Sequence, residues 1–146
     1  MLDESAEVRR DALTIFAHDG PDDAAVRAIA IGSLRDPDAL VVDAAVFALG
    51  ERLVIDAVDE LVAVARQHPD ARCREAAVAA LGALGDDRGR AAIIAALDDK
   101  APVRRRAVVA LSNFEGADID AALERARGDR DWQVRAAADQ LDESES

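Results

Sequence analysis

The side chains best suited to chemistry in this sequence are acids and arginines that recur at a constant offset. Val8-Arg9, Val41-Val42, Cys73-Arg74, Val103-Arg104 and Val134-Arg135 lie 33, 32, 30 and 31 residues apart, and five residues before each anchor stands Asp3, Asp36, His68, Asp98 or Asp129. A carboxylate and a guanidinium can form a bidentate, charge-assisted pair, and recurrence of that pair in every segment points to a structural role rather than a reaction centre. The other reactive side chains stand alone. His18 precedes Asp19 and His68 precedes Pro69-Asp70, which leaves each short of a metal's ligand set. Cys73 is the single cysteine, stands where the pattern has valine, and reads as a small buried hydrophobe. The sequence has no Gly-rich phosphate loop, no Gly-x-Ser-x-Gly elbow and no Cys-x-x-Cys. We therefore expect no catalytic residue, no metal and no cofactor.

A fixed period of this size implies stacked supersecondary units, each burying its apolar face against its neighbours. The 146 residues suffice for one domain with a continuous core. There is no basic start followed by an apolar stretch and no run of about 18 apolar residues, so neither export nor membrane insertion is expected, and the expected location is cytoplasmic. Thirty acidic against eighteen basic residues give a net charge of -12, which opposes phosphate backbones and anionic lipid surfaces. Among the basic residues Lys100 is the lone lysine; with the alanine content this fits a GC-rich genome or a salt-adapted proteome equally. Three Phe, one Trp and no Tyr leave little surface for base stacking.

The elements that carry these side chains read as helices throughout. Asp36-Pro37-Asp38 offers a capping carboxylate with proline set for a first turn, and Val41, Ala44, Ala45, Ala48 and Leu49 follow helical spacing up to a stop at Gly50. A second stripe, Ile55, Val58, Leu61, Val62 and Ala65, ends before His68-Pro69-Asp70. The third unit repeats the plan with Ala76, Ala77, Ala80 and Leu81, a turn at Leu84 to Asp87, then Ile93, Ile94 and Leu97. The fourth runs from Val103 to Leu111, turns between Asn113 and Gly116, and continues with Ile119, Ala122, Leu123 and Ala126. A fifth first helix, Gln133 to Leu141, precedes an acidic tail expected to fray. Alanines at the repeated positions allow helix axes to approach closely.

The pattern Asp-x-x-x-x-Val-Arg-x-x-Ala, Ala-Leu-Gly-x-Leu-Gly-Asp and a second helix ending Ala-Leu resembles the HEAT repeat, in its short PBS-lyase HEAT-like form. Arg74 to Asp86 carries the likeness most fully. The resemblance implies an all-α, right-handed α-solenoid of about four helical hairpins plus a terminal helix, in one domain over 1–146. Its units are about 3–35, 36–67, 68–97, 98–128 and 129–141, with 142–146 as tail. It also implies an acid–base ladder along the superhelix, with Asp3, Asp36, Asp98 and Asp129 as acids and Arg9, Arg74, Arg104 and Arg135 as bases. Val42 and His68 depart from it. If the acid of one unit meets the base of the next, Asp36–Arg74 and Asp98–Arg135 are complete, Asp3 has lost its partner, and Arg104 faces at best His68.

Enzymes that share the repeat fit poorly. The His-Glu pairs of HEAT-like deoxyhypusine hydroxylases are missing, as is the basic, aromatic concave face of HEAT-like DNA glycosylases. A lyase subunit acting on a protein-bound tetrapyrrole is the alternative to a non-catalytic protein-interaction scaffold or assembly module. The resemblance places the partner on a concave face lined by second helices, where the outward positions are Arg27, Asp56, Asp59, Ala63, Ala91, Ala95, Asp120 and Glu124. Such an alanine-floored, acid-flanked groove suits a basic or amphipathic protein segment, with no nucleic acid and no membrane as partner. Trp132 either packs over the turn before it or projects as a candidate anchor. Arg105 and Arg106 read as solvated convex residues. The lone last helix caps the stack, its outer side softened by Gln133, Asp139 and Gln140, or belongs to a longer repeat array, or supports self-association through the C-terminal end.

Overall fold

The computed structural model describes residues 5–145, and every regular element among them is helical. The α-helices are α1 (Ala6–His18), α2 (Ala24–Gly32), α3 (Ala39–Glu51), α4 (Val58–Gln67), α5 (Ala71–Leu84), α6 (Arg90–Ala95), α7 (Ala101–Leu111), α8 (Ala117–Arg127) and α9 (Trp132–Glu145). Short 3-10 turns continue α2 and α6 and lead into α4 and α6. Carboxylates start many of the helices: Asp23, Asp38 and Asp70 accept the N–H groups of Val26, Leu40 and Arg72, while Ser5 accepts from Val8. Gly85, left-handed at φ 65°, ends α5, and its N–H donates to the Leu81 carbonyl. The expected stop at Gly50 falls elsewhere: α3 runs on to Glu51, and Leu53 makes the turn at φ 52°. The tail expected to leave the helix at Leu141 instead continues α9 to Glu145, and Arg127 of α8 pairs with Asp142.

The odd-numbered helices form one layer and the even-numbered helices the other. In the first layer each helix packs along the next, from α1 on α3 through α7 on α9, whereas in the second layer substantial packing is confined to α4 and α6. Small residues permit the tighter spacing. A Cβ on Gly82 would lie 2.6 Å from the Ala110 Cβ, and one on Gly50 would lie 3.2 Å from the Ala80 Cβ. The first-helix layer is therefore the more closely packed of the two.

The repeat register separates the edges of each first helix. One edge, Val41, Ala45 and Ala48 in α3, is buried against the preceding unit, and its equivalents Cys73, Ala77 and Ala80 in α5 and Val103, Ala107 and Ala110 in α7 are buried too. Cys73 shows the contact directly, its thiol donating to the Ala39 carbonyl at 3.3 Å. The opposite edge, with Val46, Val78 and Val108, meets the following unit, and Leu49, Leu81 and Leu111 fill each hairpin. Burial pushes the Cys73 thiol up to about 11, which suits a packing residue and not a nucleophile.

Candidate functional site

The acid–base ladder is present and runs opposite to the expected direction. Arg9 donates to Asp36 at 2.7 Å, Arg74 to Asp99 at 2.9 Å and Arg104 to Asp129 at 3.0 Å, each through Nε and Nη2 onto both carboxylate oxygens. The base of one unit therefore meets the acid of the next. The reason lies in the helix: Arg9, Arg74 and Arg104 are one turn before Leu13, Val78 and Val108 on the edge that packs forward. The expected pairs Asp36–Arg74 and Asp98–Arg135 do not form. Asp99 takes the rung expected for Asp98, which pairs instead with Arg125. Arg135 donates to the Asp129 carbonyl of its own turn, as Arg74 and Arg104 do to His68 and Asp99. Asp3 lies outside the described residues.

The electrostatics follow the pairing. Hydrogen bonding from Arg9 and from Arg74 holds the Asp36 and Asp99 carboxyls below the usual range. At Asp129 burial opposes ionisation, yet Arg104 and the Asp131 N–H together carry the carboxyl down. Arg104 is the one charged side chain in the buried core, 6% exposed. These pairs bind adjacent units together.

The residues expected to form a partner groove lie on the second helices and their leading turns. Asp56, Asp59, Ala63, Ala91, Ala95, Asp120 and Glu124 are exposed, and Arg27 is half-buried beside Asp22. They occupy the less closely packed layer. Several are engaged locally, Asp59 with Arg88 and Glu124 with Arg127.

The broad recess of the molecule lies on the other layer. A cleft of about 640 Å³ crosses α1, α3 and α5, with Ala76, Ala79 and Ala83 as floor and Arg10, Thr14, Leu40, Asp43, Phe47 and Glu51 as walls. Phe47 is 55% exposed there, an unusual state for a phenylalanine, and Leu40 is exposed beside it. Partial desolvation by the cleft walls raises the carboxyl of the exposed Asp43, with Arg72 opposing the effect and Asp70 and Glu75 adding to it. Further along the same layer, α7 and α9 form a smaller recess from Arg105, Arg106, Val109, Trp132, Gln133 and Gln140. Trp132 is 66% exposed, so it projects and does not fold over the preceding turn. Arg105 and Arg106 are exposed on the first-helix layer, and Arg106 pairs with Glu75 at 3.4 Å. Phe47 was overlooked because its sequence neighbours fit an apolar stripe. The signal lay in the repeat register, where Phe47 aligns with Thr14, Ala79, Val109 and Gln140, a column that cannot all be core.

Among the described residues no His, Cys, Asp and Glu cluster is arranged to hold a metal ion, and no helix is long and apolar enough to cross a membrane. The stacked hairpins, inter-unit rungs and open cleft across the first helices define a helical-repeat scaffold. Residues 58–141 match the HEAT repeats, and the chain belongs to the HEAT-repeat family. Among solved structures it is similar to the crystal structure of an engineered protein, with a TM-score of 0.66 and 22% identity over 91% of this chain and 69% of that one. That likeness concerns the fold. No curated protein matches the chain.

Proposed function

We propose that this protein is a non-catalytic, cytoplasmic interaction scaffold, that its first helices form the inner face of the stack, and that this face holds a segment of another protein. The observation that carries this reading is the exposed Phe47 over the alanine floor of α5, with Asp43 and Glu51 one helical turn to either side. An exposed aromatic beside a small-residue floor gives a partner's apolar side chain a place to be buried. The flanking carboxylates favour a partner with basic residues beside its apolar anchor. Val109 and Trp132 supply a second apolar point on the same face. From α3 to α7 is two helix spacings, about 18 Å, a span covered by roughly 12 residues of helix. An amphipathic segment of that length, basic toward α3, fits the face.

The test compares capture of partners from host lysate by three forms of the protein. Wild type should retain a partner that a Phe47→Glu, Trp132→Ala variant loses, and a variant with Asp56, Asp59, Asp120 and Glu124 changed to Lys should retain it. Loss only in the lysine variant would return the site to the second helices.

A further inference from the structure

The two ends of the stack are chemically unlike, and the difference follows from the repeat register. At the C-terminal end, α9 carries Asp139 where Leu13, Val46, Val78 and Val108 stand, Asp142 where Phe16, Leu49, Leu81 and Leu111 stand, and Glu143 where Ala17, Gly50, Gly82 and Ser112 stand. All three acids are exposed. This edge is sealed against a further unit, because stacking on it would bury carboxylates. The expected self-association through this end would have to cover these acids.

At the other end, α1 presents the edge that receives a neighbour everywhere else in the molecule. Val8, Ala12 and Ile15 occupy the columns of Val41, Ala45 and Ala48, which are fully buried in α3. In α1 they are exposed, Val8 at 51% and Ile15 at 63%, and Ile29 of α2 is exposed beside them. Beside Val8 and Ile15, the side chains of Ala12, Leu13, Phe16, Val26, Ile29 and Ala30 line an apolar recess of about 430 Å³, with Arg9 and Ser33 at its edge.

We infer that this end binds a second copy of the chain, α1 against α1 about a two-fold axis. Two observations select that occupant. A head-to-tail stack is closed off by Asp139, Asp142 and Glu143, so the apolar end of a second copy is its own α1 edge. A HEAT unit stacked in the internal register also fits badly, because Ile15 stands in the column of Ala48, Ala80 and Ala110, where Gly82 and Ala110 leave no space for a branched side chain. Leu141 is accepted in that column at the α7–α9 contact, which is packed less closely than α5–α7. A two-fold contact frees Ile15 from that register and lets the two isoleucines bury each other.

The contact is small. A helix of this length and its hairpin partner offer a face of roughly 20 by 20 Å, about 400 Å² per copy, at the low end of specific interfaces. The dimer is therefore concentration-dependent, and the rim acids Asp11 and Asp19 with the overall charge of -12 make it tighten as salt rises. This inference is independent of the inner-face reading.

Sedimentation equilibrium on the full chain, from about 10 µM to about 1 mM at low and high NaCl, tests it. The expected result is a monomer–dimer equilibrium, strengthened by salt, that Ile15→Glu weakens at least about tenfold while Trp132→Ala leaves it unchanged; Ile15 is exposed, so folding survives, as circular dichroism would show. In a Cys73→Ala background, Ala12→Cys should then give a disulfide-linked dimer. A monomer throughout the range, or a dimer indifferent to Ile15→Glu, overturns the assignment.

Discussion

Val42 and His68 sit opposite each other in the register of the ladder, where the other rungs carry an arginine and an aspartate. Both members of one rung have changed, so neither a buried cation nor a bare carboxylate is left behind. His68 keeps the local half of the acid's role: its Nδ1 accepts the Asp70 N–H at 3.0 Å, as Asp36 accepts from Asp38 and Asp129 from Asp131. Val42 is fully buried. Val42→Arg alone should cost about 3 kcal/mol, since it places a charge in the interface without an acid. Adding His68→Asp should recover about 1 to 2 kcal/mol of it, measured as the coupling energy of a double-mutant cycle in urea. Additive losses would mean that the register assigned to this rung is wrong.

The surviving rungs should differ by burial. Arg104→Ala removes a side chain with two arms on Asp129 and one on the Asp99 carbonyl, and should cost about 2 to 3 kcal/mol. Arg9 is more exposed, and Arg9→Ala should cost about 1 kcal/mol. Chemical denaturation ranks them, and the reverse order would contradict the burial argument.

The pH dependence has a defined sign. Asp36, Asp99 and Asp129 have folded-state carboxyls below their unfolded values, so their stabilisation is present above about pH 4 and is lost as pH falls through the folded values. Asp43 is shifted the other way by burial, so its ionisation on raising the pH costs stability. Asp43→Asn should therefore stabilise the protein slightly at pH 7 and have no such effect at pH 3, whereas Asp99→Asn should destabilise at pH 7. Thermal unfolding at the two pH values reads both.

Two glycine substitutions should have opposite signs. Both Gly82 and Gly32 lie in helices, where alanine is favoured by about 1 kcal/mol. At Gly82 the new methyl would meet Ala110, and overpacking of about 1 to 3 kcal/mol should prevail. At Gly32 nothing lies within 4 Å, so Gly32→Ala should raise Tm. Stabilisation by Gly82→Ala would show that the first-helix layer can spread.

Cys73 is buried and its thiol is shifted up to about 11, so native protein should resist alkylation at pH 8 and react fully in denaturant. Rapid native labelling would indicate local opening between α3 and α5.

The sequence made the helices, the period and the ladder's residue types legible, because each rests on local spacing that a single chain displays. The ladder's direction was not legible: Arg74 is six residues from His68 and far from Asp99 in sequence, and the three-dimensional edge on which it lies decides between them. Nor was Asp99 distinguishable from Asp98, since one residue of slip in the preceding 3-10 turn selects which carboxylate reaches Arg74. Nor was the relative closeness of the two layers legible, because it is set by pairs such as Gly82 and Ala110 in different units.

The close approach of Gly82 to Ala110 also has a mechanical consequence. A stack pinned along one layer and looser along the other behaves like a row of leaves on a common spine: tension between its ends spreads the even-numbered helices while the odd-numbered layer keeps its spacing. Compliance is then one-sided. The stack can change curvature without breaking the contacts that define its length.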